Sequence, residues 1–260
     1  MKLFFTLWGA SLRSRMQYKG NFLFSSFTYG LIMAVDFLML AAILLRFDDV
    51  MGWTIYEVGY LYGIASASMS LYRLLAPEIH EFERYMVEGE FDSLLIRPVP
   101  PLTLLLTRNL ELSRIGGVVQ GIAILVLSLH GLAATTHWLP ALLYLPVAFI
   151  SGLIISFALG LITATLAFWT QRIKDFQAFT LYAPNNAASY PMSIYPGWLK
   201  WILFTVLPVA FIAYVPALYL LDKGGTWHNL WVSPAVAGVF LWISLRFWRF
   251  GIRYYHSTGS

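Results

Sequence analysis

The sequence of 260 residues contains no cysteine and little charge. The absence of cysteine excludes disulfides, thiolate metal sites, cysteine nucleophiles and lipid anchors attached to cysteine. Charged residues make up 12% of the chain, about half the share of an average soluble domain, whereas 59% of residues are hydrophobic. A soluble protein of this length needs more polar groups to cover its surface. The composition therefore indicates an integral membrane protein.

Motifs for nucleotide, metal or catalytic chemistry are also missing. No G-x-x-x-x-G-K-[ST] loop is present, so the chain cannot hydrolyse ATP as a P-loop enzyme. The histidines are scattered, without an H-E-x-x-H motif or carboxylates at metal-ligand spacing. We therefore expect no enzyme activity and no cofactor in this chain. Basic residues flank apolar runs instead of forming one basic face, which argues against a nucleic-acid partner.

Apolar runs long enough to cross a membrane as helices are present instead, since a crossing needs about 20 residues. Four of them are plain: residues 22–45, 53–75, 115–134 and 139–169. Residues 230–250 make a further span. Residues 198–221 are also apolar but are interrupted by Pro208 and Pro216. Residues 173–191 carry Asn185 and Asn186. Either of these last two segments gives the same number of crossings, so hydropathy leaves the fifth one open.

The basic residues predict the orientation. All but three of the 17 lysines and arginines fall on one side of a six-crossing arrangement, the exceptions being Arg46, Lys200 and Lys223. Because basic loops stay in the cytoplasm, both termini are predicted to be cytoplasmic.

The N-terminal segment, residues 1–20, places Phe4, Leu7, Trp8 and Leu12 at helical spacing among basic residues. This pattern favours an amphipathic helix lying in the membrane interface. A disordered basic tail is the alternative.

Asp36 stands alone in the middle of the first run, where a charge costs about 2.5–3.5 kcal/mol on insertion scales. We expect it to face protein or a water-filled cavity. It is either a pathway contact for a polar or cationic substrate or a partner in a hydrogen bond between helices.

Residues 76–101 form the longest polar stretch and hold six of the 13 carboxylates. Pro77 and Gly89 suit the beginning and end of a short helix over residues 78–88. A solvated connector is one interpretation, but the segment contains many apolar side chains, which favours a docking surface for a cytoplasmic partner. The candidate contacts are Glu78, Glu81, Phe82, Tyr85, Met86, Phe91 and Asp92.

Two stretches carry a resemblance to a known family: residues 89–98 (GEFDSLLIRP), and residues 190–198 (YPMSIYPGW) followed by Pro208 and Tyr214-Val-Pro216. In order and spacing they resemble the membrane permease subunits of type-2 ABC transporters, in particular a branch of small six-span bacterial permeases. The resemblance covers essentially the whole chain.

The resemblance implies a detailed architecture. It is an all-α polytopic membrane protein with six transmembrane helices, the amphipathic helix on the inner leaflet and residues 76–101 as a coupling helix. Residues 173–191 become the fifth span and residues 198–221 an extracellular re-entrant hairpin before the sixth. Asn185 and Asn186 then join Asp36 as candidate pathway contacts.

It also implies partners and a setting. Two copies of a separate cytoplasmic P-loop ATPase bind ATP and Mg, and a second permease, identical or homologous, completes the pore in the bacterial inner membrane. The expected activity is export of a small amphipathic or cationic compound, a drug, a natural product or an envelope component. A secondary active transporter is the alternative function, although such proteins normally show internal repeats that this sequence lacks.

Overall fold

A computed structural model describes residues 6, 8–9, 19–44, 51–133 and 138–256. Every regular element in these ranges is a helix of the α, 3-10 or π type, which confirms the all-α prediction for them. Five helices are long: α1 (Lys19–Leu44), α2 (Ile55–Leu75), α3 (Ile115–Leu132), α4 (Trp138–Thr170) and α5 (His228–Ile252).

Shorter elements connect the long helices. Between α2 and α3 lie Pro77–His80, Phe82–Val87, Phe91–Leu95, Pro101–Arg108 and the 3-10 turn Leu112–Arg114. Between α4 and α5 lie Lys174–Gln177, the π turn Ala178–Tyr182, Ala183–Ala188, the 3-10 turn Met192–Ile194, Gly197–Thr205, the 3-10 turn Val209–Phe211 and Tyr214–Leu220.

Among the described residues, four helices are long and apolar enough to cross a membrane: Gly20–Met39, Leu112–Leu132, Trp138–Thr170 and His228–Ile252. A fifth crossing is added if one bent pair of helices, Gly197–Thr205 and Val209–Leu220, counts as a single span. Helix α2 has 21 residues but is buried along almost its whole length inside the protein. Four or five helices are therefore candidate membrane spans, whereas the total of six stays a prediction.

The bent pair turns by 74° between its two halves. Pro208 lies at the break, where it has no N–H to continue the first helix. This bend is compatible with the hairpin predicted for residues 198–221.

The predicted N-terminal amphipathic helix lies mostly outside the described residues. Thr6, Trp8 and Gly9 are described and helical, and Trp8 is half-buried. The remaining positions of that pattern, and all of its basic residues before Lys19, fall outside the described ranges, so this part of the fold stays a prediction.

Glycines let α2 and α3 pack closely against each other. Gly59 and Gly63 stand four residues apart on α2, and Gly117 and Gly121 stand four apart on α3. A Cβ at Gly63 would lie 2.9 Å from the carbonyl oxygen of Gly121. Small residues at this spacing let helix backbones approach closely in a membrane.

The end of α2 away from residues 76–101 is fixed by polar contacts. Thr54 and Glu57 form a reciprocal capping box at the first turn. Lys223, just after the bent pair, makes a 2.9 Å ion pair with Glu57 and donates to the carbonyl oxygen of Gly52 at 2.7 Å. The loop before α5 is therefore tied to the beginning of the central helix.

Candidate functional site

Residues 76–101, which we call the 76–101 segment, fold as three short helices joined by tight turns. Pro77 opens the first helix, where its missing N–H costs nothing. Gly89 has a φ of 70°, the left-handed conformation that commonly ends a helix and that glycine adopts without strain. Pro77 therefore begins a helix and Gly89 follows the end of one, as the sequence predicts.

The prediction of a single helix over residues 78–88 is wrong, because the helix is interrupted. The chain breaks at Glu81 and forms two helices, Pro77–His80 and Phe82–Val87. The break allows both His80 and Phe82 to be buried, although residues two apart on one continuous helix point about 200° apart, to nearly opposite sides.

Aromatic rings anchor the 76–101 segment to the ends of α4 and α5. Phe82 and Phe91 pack edge to face with their ring centroids 5.5 Å apart. Phe82 also lies 5.4 Å from Phe168 of α4 and 5.1 Å from Trp248 of α5. Phe91 lies 4.9 Å from Tyr255, which follows α5. Aromatic pairs at these distances contribute about 0.5–1.5 kcal/mol each beyond burial.

This cluster corrects the sequence interpretation of the apolar side chains. Phe82, Tyr85 and Phe91 are fully buried, and Met86 is 4% exposed. They cannot form an exposed docking surface, because they hold the segment against its own helices. They pack the segment firmly against α4 and α5.

A polar network surrounds Tyr85. Its hydroxyl donates to Glu78 Oε2 at 2.6 Å, and Arg84 approaches the same oxygen at 3.1 Å. The guanidinium groups of Arg84 and Arg108 lie 5.3 Å and 5.2 Å from the centroid of the Tyr85 ring. Burial, reinforced by the Glu78 carboxylate, raises the pKa of Tyr85, so the hydroxyl stays protonated and keeps donating.

Arg108 extends the network to Glu90 through a 3.1 Å ion pair, which joins the helix Pro101–Arg108 to the 76–101 segment. The half-buried Asp92 carboxylate lies beside Tyr255, and burial together with this carboxylate raises the pKa of Tyr255 to about 12. The segment is thus fixed by both rings and charges.

The segment exposes a different set of side chains, which includes the basic Arg84 and Arg97. Val87 is 53% exposed, Leu95 41% and Ile96 84%. Glu81 and Glu88 are exposed as well. We call these three apolar and two acidic residues the exposed tip. It combines apolar and acidic groups on a rigid support.

The other face of the 76–101 segment contacts the helical residues 174–188, which we call the bulged helix. Glu83 Oε2 accepts from the backbone N–H groups of Ile173 at 2.6 Å and Lys174 at 2.9 Å. The carbonyl oxygen of His80 accepts from Gln177 Nε2 at 2.6 Å. These contacts join positions about 90 residues apart, and no motif in the sequence signals them.

The His80 ring forms the third of these contacts. Its Nε2 lies 2.8 Å from the hydroxyl of Tyr182, the last residue of the π turn. Burial, with the positive charges of Arg73 and Arg114, lowers the pKa of His80 to about 3. The ring is therefore neutral at physiological pH.

The candidate pathway residues lie elsewhere. Asp36 is exposed on α1. Asn186 is exposed and lines a cavity of about 510 Å³, together with Phe179, Tyr190 and Tyr195. Asn185 is half-buried, and its Oδ1 has no hydrogen-bond partner.

The several long apolar helices of the described residues point to an integral membrane protein of the polytopic helical class. Residues 31–259 match the family described as ABC-2 family transporter protein, and the chain belongs to this family. None of the curated proteins matches it. The chain is thus a membrane permease component of an ABC transporter. Such a permease is a transport component and is not itself catalytic.

Proposed function

We propose that this chain is the membrane-spanning subunit of an exporter driven by a separate P-loop ATPase, which docks on the exposed tip of the 76–101 segment. The observation that carries the proposal is the combination of a rigid interior and an exposed apolar surface in one short segment. Three apolar side chains within ten residues, Val87, Leu95 and Ile96, are exposed, and grouped exposed apolar residues often mark contacts with another protein.

The arrangement suits the transfer of force. Because Phe82 and Phe91 are packed against α4 and α5, a displacement of the exposed tip moves the ends of two long helices. Closely packed side chains transmit such a displacement, since they cannot be compressed. Two copies of the ATPase, each binding ATP and Mg, would act on two permeases in this way.

The position of Asp36 supports the proposal that a second permease, identical or homologous, is present. The carboxylate is exposed in the middle of α1, among exposed apolar residues such as Val35 and Met39. Facing lipid it would cost about 2.5–3.5 kcal/mol, which a protein partner covering this face of α1 would relieve.

The cavity beside Asn186 suits the substrate. Rings of Phe179, Tyr190 and Tyr195 line it, and none of its described lining residues is charged. Such a lining suits a small amphipathic compound with few hydrogen-bonding groups. We propose export of such a compound across the bacterial inner membrane, with both termini in the cytoplasm, as the basic residues predict.

The docking proposal is tested with a triple variant, Val87→Ala, Leu95→Ala and Ile96→Ala. The unsubstituted permease is cross-linked in its native membranes, and the P-loop ATPase attached to it is identified by mass spectrometry. That ATPase is then titrated against purified permease in nanodiscs. We expect the triple variant to bind it about tenfold more weakly or worse, as for the loss of a cluster of interface hot spots.

Phe176→Ala is the matched control. Phe176 is 45% exposed and apolar like the tip, but it lies on the bulged helix. The Phe176→Ala permease should bind the ATPase with the same affinity as the unsubstituted protein. Equal binding by the triple variant, or recovery of no P-loop ATPase at all, would contradict the proposal.

A further inference from the structure

The bulged helix begins without a cap of its own. The first N–H groups of any helix lack partners within it, and a polar side chain just before the helix usually accepts from them. Here that position is occupied by Ile173, whose apolar side chain makes no such bond. Glu83 of the 76–101 segment supplies the missing acceptor by binding two N–H groups through one oxygen. The carboxylate charge also favours the positive end of the helix.

Two further contacts hold the next turns of the bulged helix to the same segment. Gln177 donates to the carbonyl oxygen of His80, and the His80 ring meets the hydroxyl of Tyr182. Thr180, in contrast, is bonded to Thr163 of α4 at 2.8 Å. All three contacts with the 76–101 segment therefore fall between residues 173 and 182.

The last of these contacts coincides with the end of the π turn Ala178–Tyr182. A π turn inserts an extra residue in the helix, weakens the regular bonding pattern and often marks a functional position. Beyond it the helix continues over Ala183–Ala188, where the Asn185 Oδ1 atom has no partner. The π turn thus lies between the first turn, which Glu83 and His80 hold, and residues 183–188 beside the cavity. Its last residue, Tyr182, also contacts His80, and its Phe179 also lines the cavity.

We propose that Glu83 and His80 are positioning residues that carry movement of the 76–101 segment to the bulged helix, which pivots at Ala178–Tyr182 and thereby moves Asn185 and Asn186. This inference rests on the proposed function, because an ATPase is needed to move the segment. The aromatic cluster transmits the same movement to α4 and α5, whereas Glu83 and His80 transmit it to the helix beside the cavity.

The first test asks whether Glu83 caps the helix. Hydrogen exchange of residues 174–182 is measured for the permease alone in nanodiscs, with α4 as the internal reference. Glu83→Ala should raise the exchange rate about tenfold, the effect of losing a strong cap. The exchange rate of Glu83→Gln should lie between those of the unsubstituted protein and Glu83→Ala, because the amide oxygen still accepts a hydrogen bond but carries no charge. Asp175→Asn, which removes an equal charge from the exposed first turn, should leave the rate nearly unchanged.

The second test asks whether movement is transmitted. Because the chain has no cysteine, spin labels can be placed at Ser93→Cys, Phe176→Cys and Val126→Cys, all exposed positions. In the complex with its ATPase, trapping the nucleotide-bound state should change both the 93–126 and the 176–126 distances. With Glu83→Ala, or with Tyr182→Phe, the 93–126 distance should still change, whereas the change in the 176–126 distance should fall by at least half.

The outcomes separate the two proposals. If the 93–126 distance changes and the 176–126 distance follows it fully in both variants, the inference is wrong and the proposed function stands. If nucleotide changes neither distance in the unsubstituted complex, both are wrong. Exchange in Glu83→Ala that matches Asp175→Asn would also overturn the inference, whatever the complex shows.

Discussion

At the scale of single residues, the structure gives several polar side chains roles that depend on burial. His80 is 4% exposed and lies between the positive charges of Arg73 and Arg114. A protonated imidazole would be poorly solvated there and repelled by both arginines. The neutral ring instead bonds Tyr182 through Nε2, while its buried Nδ1 has no hydrogen-bond partner among the described residues.

The depressed pKa of His80 predicts how stability depends on pH. The group titrates near 6.5 in the unfolded chain and near 3 in the folded one, so the unfolded state binds more protons between these values. The stability that depends on a neutral His80 ring is fully present above pH 6.5. As the pH falls below 6.5, the free energy of unfolding decreases by up to about 1.4 kcal/mol per pH unit. Thermal unfolding in detergent between pH 7.5 and 5 measures it.

His80→Gln is the comparison for this prediction. Because glutamine does not titrate, the melting temperature of the variant should fall less steeply with decreasing pH than that of the unsubstituted protein. Parallel curves for the two proteins would show that His80 does not carry the dependence.

At the scale of elements, the glycine contact between α2 and α3 leaves no room for a larger side chain. A Cβ at Gly63 would lie 2.6 Å from the Leu125 Cγ atom and 2.9 Å from the carbonyl oxygen of Gly121, and the backbone oxygen cannot rotate away. Gly63→Ala should therefore destabilise the protein by about 1–3 kcal/mol through overpacking.

Gly238→Ala on α5 is the matched control, because a Cβ there meets no atom within 4 Å. In a helix this change alone usually stabilises, by about 0.5–1 kcal/mol. Unfolding curves of the two variants in detergent should shift in opposite directions. A shift of both in the same direction would mean that the glycines of α2 are not there for close contact.

The elements also show what the sequence could predict. The long helices begin and end within a few residues of the predicted runs, because about 20 apolar residues in a membrane have few other solutions. Pro77, Gly89 and Pro208 act locally, so their effects were predictable too. The break at Glu81 was not, since it depends on burying His80 and Phe82 together.

The packing of the 76–101 segment was predictable only in part, and its role as a site stays a prediction. The 76–101 segment stands out by its charge and apolar content, yet the sequence does not tell which apolar side chains turn inward. Phe82 and Phe91 do so because Phe168, Trp248 and Tyr255 meet them from distant parts of the chain. Glu83 and His80 were missed for the same reason, since their partners lie about 90 residues further along.

At the scale of the whole molecule, the two ends differ in construction. Aromatic rings and the charges around Tyr85 fix the 76–101 segment at one end, whereas the ion pair of Lys223 and Glu57 fixes the bent pair and α2 at the other. In the proposed transporter the first end meets the ATPase and the second faces outward. The direction of the chain in the membrane therefore decides whether the account holds.

Cysteine accessibility in intact cells measures that direction, and the natural chain contributes no background thiol. Single cysteines at Ser93, in the 76–101 segment, and at Thr226, just before α5, are both exposed in the structure. With a membrane-impermeant thiol reagent, the account predicts labelling of Thr226→Cys and protection of Ser93→Cys until the cells are opened. Labelling of Ser93→Cys in intact cells would place the segment on the outside, where no ATPase could reach it, and would contradict the account.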